Sequence, residues 1–237
     1  MRGALLLPAA AVCLGVAPVS AAARRVPTTA PPVVVELYTA QGCTSCPPAN
    51  KLLSRVADRQ GVLMLTFPVD YWDYAGWRDT FAKPEFTARQ RAYADRLKVR
   101  EIYTPEVVVG GRKEAPGGDA DKIDALIAAA PALREAAPRV RITGERVRVE
   151  PRPGLGGLDV WLVRYDPQER VVKVKTGDNK GKSISQRDVV RQLVRLGGVY
   201  AHARSFALPA AEETGLKTAI LVQGLRGGPI LAVAQPQ

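Results

Sequence analysis

The stretch Val33-Val34-Val35-Glu36-Leu37-Tyr38-Thr39-Ala40-Gln41-Gly42-Cys43-Thr44-Ser45-Cys46-Pro47-Pro48-Ala49-Asn50 decides how this chain is read. Its first seven residues are apolar on both alternating faces, the pattern of a strand buried inside a sheet. Two cysteines then stand two residues apart. Beyond them Leu52, Leu53, Val56 and Ala57 recur at helical spacing, with Pro47 and Pro48 tolerated in the first turn. A strand, a CxxC pair and a helix in direct succession place a dithiol at a helix N-terminus. Free backbone N–H groups and the helix dipole there favour a thiolate, lowering a cysteine pKa from about 8.5 to roughly 3.5–7.5. Cys43, just before the helix, is expected to be the exposed attacking thiol, and Cys46, one turn deeper, the resolving thiol. The hydroxyls of Thr44 and Ser45 lie close to both sulfurs.

The remaining cysteine, Cys13, falls in a segment with the composition of a secretory signal. Arg2 supplies its charge, Leu5 to Val19 its apolar run, and Val19-Ser20-Ala21-Ala22-Ala23 the small residues at which cleavage occurs. Removal of residues 1–23 leaves 214 of the 237 residues, and Cys43 and Cys46 as the only thiols. The apolar run is short for a membrane span, so a soluble exported protein is expected, periplasmic or secreted, with no stable membrane insertion. The chain carries 34 Lys and Arg against 23 Asp and Glu, a net charge of +11. These cations are scattered rather than clustered, which argues against a nucleic-acid partner. A single histidine, His202, excludes a metal site built from several imidazoles, and no cofactor or metal is expected.

Residues 24–32, rich in proline, read as a tether, and residues 33–130 as an α/β domain. After the first helix, Val62 to Val69 is a second buried strand, parallel to the first by default. Asp70 to Pro84 then concentrates Tyr71, Trp72, Tyr74, Trp77 and Phe81, far above the chain average of 6% aromatic residues. A helix follows over Glu85–Lys98, then a strand over Ile102–Gly111, its edge partner Arg112–Ala115, and a helix Ala120–Ala130 capped at Asp119. Residues 131–138 form the expected linker. Residues 139–237 alternate as short strands, a mostly antiparallel sandwich-like domain interrupted by one helix, Gln186–Leu196, capped by Ser185.

Glu36 interrupts the apolar central strand, and two readings of it stay open: a buried proton acceptor for Cys46 through water, or a carboxylate that sits at a wetter sheet position or pairs with a basic residue. The aromatic block follows a strand at its carboxyl edge. It either lines a substrate groove, with Trp72 and Tyr74 the rings closest to the dithiol, or plugs an insertion onto the sheet. The polar loop Asp178-Asn179-Lys180, with Lys182, is a candidate partner contact.

Three blocks, Val35 to Asn50, Val69 to Tyr93 and Tyr103 to Gly111, together with Val160 to Asp166 and Gly177 to Lys182, resemble a bacterial family of exported, thioredoxin-like proteins of unassigned function. The resemblance runs over nearly the whole mature chain. It implies a thioredoxin-like domain carrying an inserted aromatic segment, and it implies that Thr104-Pro105 is the loop that presents a cis proline beside the dithiol. Such a loop pairs briefly with an extended substrate chain. The chain departs from thioredoxin itself in having no Trp before Cys43, Thr-Ser between the cysteines, and a longer segment before Thr104.

The function expected from these features is thiol-disulfide exchange with protein or small-thiol partners of the cell envelope, through Cys43 and Cys46, supported by Thr104, Pro105, Glu36, Trp72 and Tyr74. Two alternatives accompany it. One is a binding module whose Cys43–Cys46 bridge is structural; the other is a thiolate carrier of copper or zinc.

Overall fold

The computed structural model describes residues 31–131 and 137–236. The expected signal segment, tether residues 24–30 and linker residues 132–136 lie outside the described residues.

Strand β1 (Val33–Thr39) leads through the cysteines into helix α1 (Cys46–Val56), with prolines in its first turn, and returns in β2 (Val62–Pro68). The two strands pair in parallel, Val33 opposite Val62 and Thr39 opposite Pro68. A short 3-10 turn (Asp73–Ala75) and helix α2 (Pro84–Leu97) follow, then β3 (Glu106–Val109), β4 (Lys113–Pro116) and α3 (Ala120–Ala128). Strand β3 runs antiparallel to β1 and pairs with β4 across a turn. It is shorter than the expected Ile102–Gly111. The Asp119 side chain caps α3 by accepting a bond from Lys122 N–H.

The second half adds β5 (Arg139–Thr143), β6 (Arg146–Glu150), β7 (Leu158–Asp166), β8 (Arg170–Lys173), β9 (Ser183–Gln186), β10 (Val189–Val199), β11 (Arg204–Ala207), β12 (Lys217–Gly224) and β13 (Ile230–Ala234). Four of these continue the first sheet, giving eight strands in the order β13-β12-β7-β10-β2-β1-β3-β4. The junction is parallel: Val189 pairs with Thr66, Thr66 N–H donates to Asp188 O, and the Thr66 hydroxyl donates to Arg187 O. The boundary expected at 131–138 therefore does not divide the sheet. Strands β11-β6-β5 form a separate three-stranded sheet, and β8-β9 a two-stranded hairpin.

The expected helix Gln186–Leu196 is corrected to strands β9 and β10, with Ser185 inside β9. Strand β10 is irregular, its register against β7 shifting between Val190 and Gln192 and again between Arg195 and Gly197. Each bulge inserts a residue and resets the alternation. Apolar residues thus fall at 189, 190, 193, 194 and 196, a spacing that imitates a helix.

Alternation along the strands sorts the core. Val35, Leu37, Met64, Val107 and Val109 pack with Leu53 and Val56 of α1 and Ile123 of α3. Val34, Tyr38, Leu65, Phe67 and Val108, on the other face, pack with Phe86 and Tyr93 of α2 and with Val163, Tyr165 and Leu221 of the C-terminal strands. Leu158, Val160, Leu162, Ile220 and Val222 are covered by Val147, Val149 and Phe206 of the small sheet.

Candidate functional site

Cys43 and Cys46 form a disulfide at the N-terminus of α1, their Cα atoms 5.4 Å apart. The turn is built locally, with Cys43 N–H donating to Ala40 O and Cys46 N–H to Cys43 O. The Ser45 hydroxyl lies 3.5 Å from Cys43 Sγ. Thr44 and Ser45 are exposed, but both cysteines have 0% exposure. The expectation of an exposed Cys43 is thus corrected for this disulfide form; both cysteines belong to the core cluster of Tyr38, Phe67 and Val69, and a loop from the other half of the chain bonds to the backbone of their turn. The Asn179 side-chain amide, itself buried, donates to Gln41 O and Cys43 O, both at 2.9 Å. Its own oxygen accepts from Lys182 Nζ at 2.9 Å.

Gln41, two residues before Cys43, anchors the turn from below. Its backbone N–H donates to Asp79 at 2.7 Å, its side-chain nitrogen to the Thr80 hydroxyl at 2.9 Å, and its side-chain oxygen accepts from the Trp77 indole at 2.9 Å. Burial pushes Asp79 up to about 6, with the Gln41 and Phe81 N–H donors working against it. The aromatic segment therefore braces the turn through Trp77, Asp79 and Thr80, none of which the sequence singled out as site residues. Trp72 lies alongside Gly42, where a Cβ would stand 3.5 Å from Trp72 Cβ, and its indole N–H donates to the Thr104 hydroxyl at 2.7 Å. Tyr74 is 85% exposed, so its expected part in supporting the site is corrected to a place on the surface.

The Thr104–Pro105 peptide bond is cis. Gly117 seats Pro105 against α1, since a Cβ on Gly117 would lie 2.7 Å from Pro105 Cβ and 3.2 Å from Ala49 Cβ. Helix α2 holds the same loop from the other side of the sheet: the Gln90 amide donates to Tyr103 O at 2.8 Å and to Glu106 at 2.6 Å. Glu106 is fully buried, and burial pushes its carboxyl up to about 7.

Glu36 is fully buried, which overturns a wetter sheet position, and it pairs with a basic residue. Arg89 Nε lies 2.7 Å from one carboxylate oxygen, both side chains being buried, and the Tyr93 hydroxyl donates to the other. Burial pulls the Arg89 guanidinium down, but the Glu36 carboxylate outweighs it and holds Arg89 above its ordinary range. Both carboxylate oxygens of Glu36 are thus engaged within the core, one by Arg89 and one by Tyr93. The proton-acceptor reading toward Cys46 is corrected on that ground to an internal ion pair. Among the described residues no group of three or more His, Cys, Asp or Glu is arranged to hold a metal, and no helix is long and apolar enough to cross a membrane.

The family model described as "Protein of unknown function (DUF1223)" matches residues 34–223. This chain belongs to the DUF1223 family. Among solved structures, protein AGR_C_4864 from Agrobacterium tumefaciens is similar at 29% identity and a TM-score of 0.67, covering 87% of this chain and 94% of that one. HBP35 of Porphyromonas gingivalis shares the fold at 12% identity and a TM-score of 0.52, over 87% of this chain and 75% of that chain. No curated protein matches the DUF1223 chain.

Proposed function

We propose that this DUF1223 protein is an exported thiol-disulfide oxidoreductase built on a thioredoxin-like core, acting on protein or small-molecule thiols of the cell envelope. The observation that carries the reading is the Cys43–Cys46 disulfide at the N-terminus of α1, with the Thr104–Pro105 loop packed against the same helix. The strand order β2-β1-β3-β4, with β1 and β2 parallel and β3 and β4 antiparallel, supports the core assignment. The signal-like residues 1–23 support export.

In the reducing direction, the Cys43 thiolate attacks one sulfur of a partner disulfide. A Cys43–partner bond forms, and the partner's other sulfur leaves as a thiolate. Cys46, deprotonated, then attacks Cys43 Sγ, restoring the Cys43–Cys46 bond and expelling the second partner thiolate. Two electrons and two protons pass from the dithiol to the partner; oxidation is the same sequence reversed.

The burial of both sulfurs favours a second reading, a binding module with a structural bridge. Chain entropy gives that reading modest support: closing a loop this short stabilises by about 2 kcal/mol in the loop-closure model, the low end of the roughly 2–4 kcal/mol typical of disulfides. A Cys46→Ser variant is expected to accumulate mixed disulfides in envelope extracts. Capture of nothing, together with a reduction potential below about −300 mV, leaves the structural bridge.

A further inference from the structure

We infer that Asn179 is a specificity-determining residue of the dithiol: the loop that carries it is a removable cap that keeps small thiols away from Cys43. This deepens the oxidoreductase reading and rests on it.

The loop is the tip of the hairpin formed by β8 and β9, which pair with each other and not with the large sheet; the far end of β9 is anchored on α1 and by a bond from the Gln41 side chain to Gln186 at 3.4 Å. It is compact, with Gly181 N–H bonded to Val174 O, Val174 N–H to Lys182 O, Lys180 N–H to Gly177 O and Lys182 N–H to Asn179 O. Lys175, Thr176, Asp178, Lys180 and Lys182 are exposed, so Asn179 is the polar side chain this tip turns inward. Its two N–H groups fill two carbonyls of the cysteine turn, Gln41 O and Cys43 O, while Lys182 Nζ holds the amide in that orientation. A second contact seats the tip on the aromatic segment: the Thr176 hydroxyl donates to Gly76 O, and Gly177 (φ +73°) fits where a Cβ would come within 2.7 Å of Ala75 O.

With the loop in place both cysteines have 0% exposure. When it leaves, Gln41 O loses the Asn179 donor and Cys43 O keeps only the Cys46 N–H, so both carbonyls are free to accept from a visiting chain. An extended polypeptide replaces those donors with its own backbone N–H groups. A small non-peptide thiol such as dithiothreitol has no backbone N–H to offer. The cap therefore favours polypeptide partners, and exchange begins with local opening of the hairpin tip rather than with unfolding of the domain.

The test is the rate at which dithiothreitol reduces the disulfide in the full chain, followed by maleimide labelling of the released thiols. One dithiothreitol thiolate attacks a sulfur of the Cys43–Cys46 bridge and frees the other as a thiolate; the second dithiothreitol thiol then closes on the first, delivering two electrons to the chain. Asn179→Ala is expected to accelerate this reduction by about tenfold or more, and Lys182→Ala, altering an exposed residue, by a smaller factor. The wild-type rate is expected to stay flat in low urea, because local opening exposes little surface. An Asn179→Ala rate within twofold of wild type overturns the cap, as does a wild-type rate that climbs with urea at the slope of global unfolding. The urea series needs no variant, so a misfolded Asn179→Ala protein leaves the inference testable. Accelerated reduction without envelope capture by Cys46→Ser sinks the oxidoreductase reading and keeps the cap; capture with unchanged reduction rates does the opposite.

Discussion

At the scale of single residues, Glu106 couples the Thr104–Pro105 loop to pH. It follows Pro105 directly, is fully buried, and receives the Gln90 amide on one oxygen, while its other oxygen has no hydrogen-bond partner among the described residues. Burial raises its carboxyl from 4.5 to about 7, against the opposing pull of Gln90. Between those two values the folded state keeps a proton that the unfolded chain has released. The stability this group contributes is thus fully present below 4.5 and is lost as pH rises through 7. The shift corresponds to about 3 kcal/mol. Glu106→Gln is expected to flatten the decline and to raise the urea midpoint at pH 8 relative to wild type, with little change at pH 5. Asp79 and Asp188, both pushed up to about 6 by burial, act in the same sense, so some slope below pH 6 persists in the variant. Equal loss of stability at both pH values would show that the carboxyl acts only through packing.

At the scale of elements, α2 joins the two halves. Arg89 pairs with Glu36 of β1, donates to Gln223 of β12 at 3.1 Å, and lies over the rings of Phe67, Tyr93 and Trp161 at 5.8, 5.2 and 5.3 Å. Arg89→Met is expected to cost about 3–5 kcal/mol, because it strands a buried carboxylate. Adding Glu36→Gln should recover much of that loss in urea denaturation; no recovery would mean that the rings, not the charge, carry the stabilisation. Period and punctuation made the βαβ unit, the Asp119 cap and the β3–β4 turn legible in the sequence, because each is a local pattern of burial and turn chemistry. The dithiol was legible for the same reason. Strand β10 was not, since two bulges gave its apolar residues a helical spacing. Glu36 announced that it needed a partner, yet Arg89 lies 53 positions away. Asn179, 136 positions from Cys43, stood out only as part of a polar, glycine-bounded loop, and nothing local showed that it folds back over the cysteines.

At the scale of the whole molecule, the continuous sheet makes the halves depend on each other. Strand β2 is central because β10 lies on its far side, and Leu65 and Phe67 pack with Val163, Tyr165, Val190, Leu193 and Leu221 as well as with α2. Ending the chain at residue 131 turns β2 into an apolar edge strand, which invites association with other chains. Complete exposure of Leu65 and Phe67 would remove about 3–6 kcal/mol of burial, so even partial exposure takes a substantial part of a domain's 5–15 kcal/mol. Arg89 in that fragment also loses Gln223 and the Trp161 ring. Residues 31–131 expressed alone are therefore expected to aggregate or to unfold without a cooperative transition. The complete chain is expected to unfold in one step, with tryptophan fluorescence and far-ultraviolet circular dichroism giving coincident curves in urea. A soluble 31–131 fragment with a sharp transition of its own would show that the strands after β4 decorate a self-sufficient core, and that the hairpin carrying Asn179 is an addition to the dithiol site rather than part of the unit that folds around it.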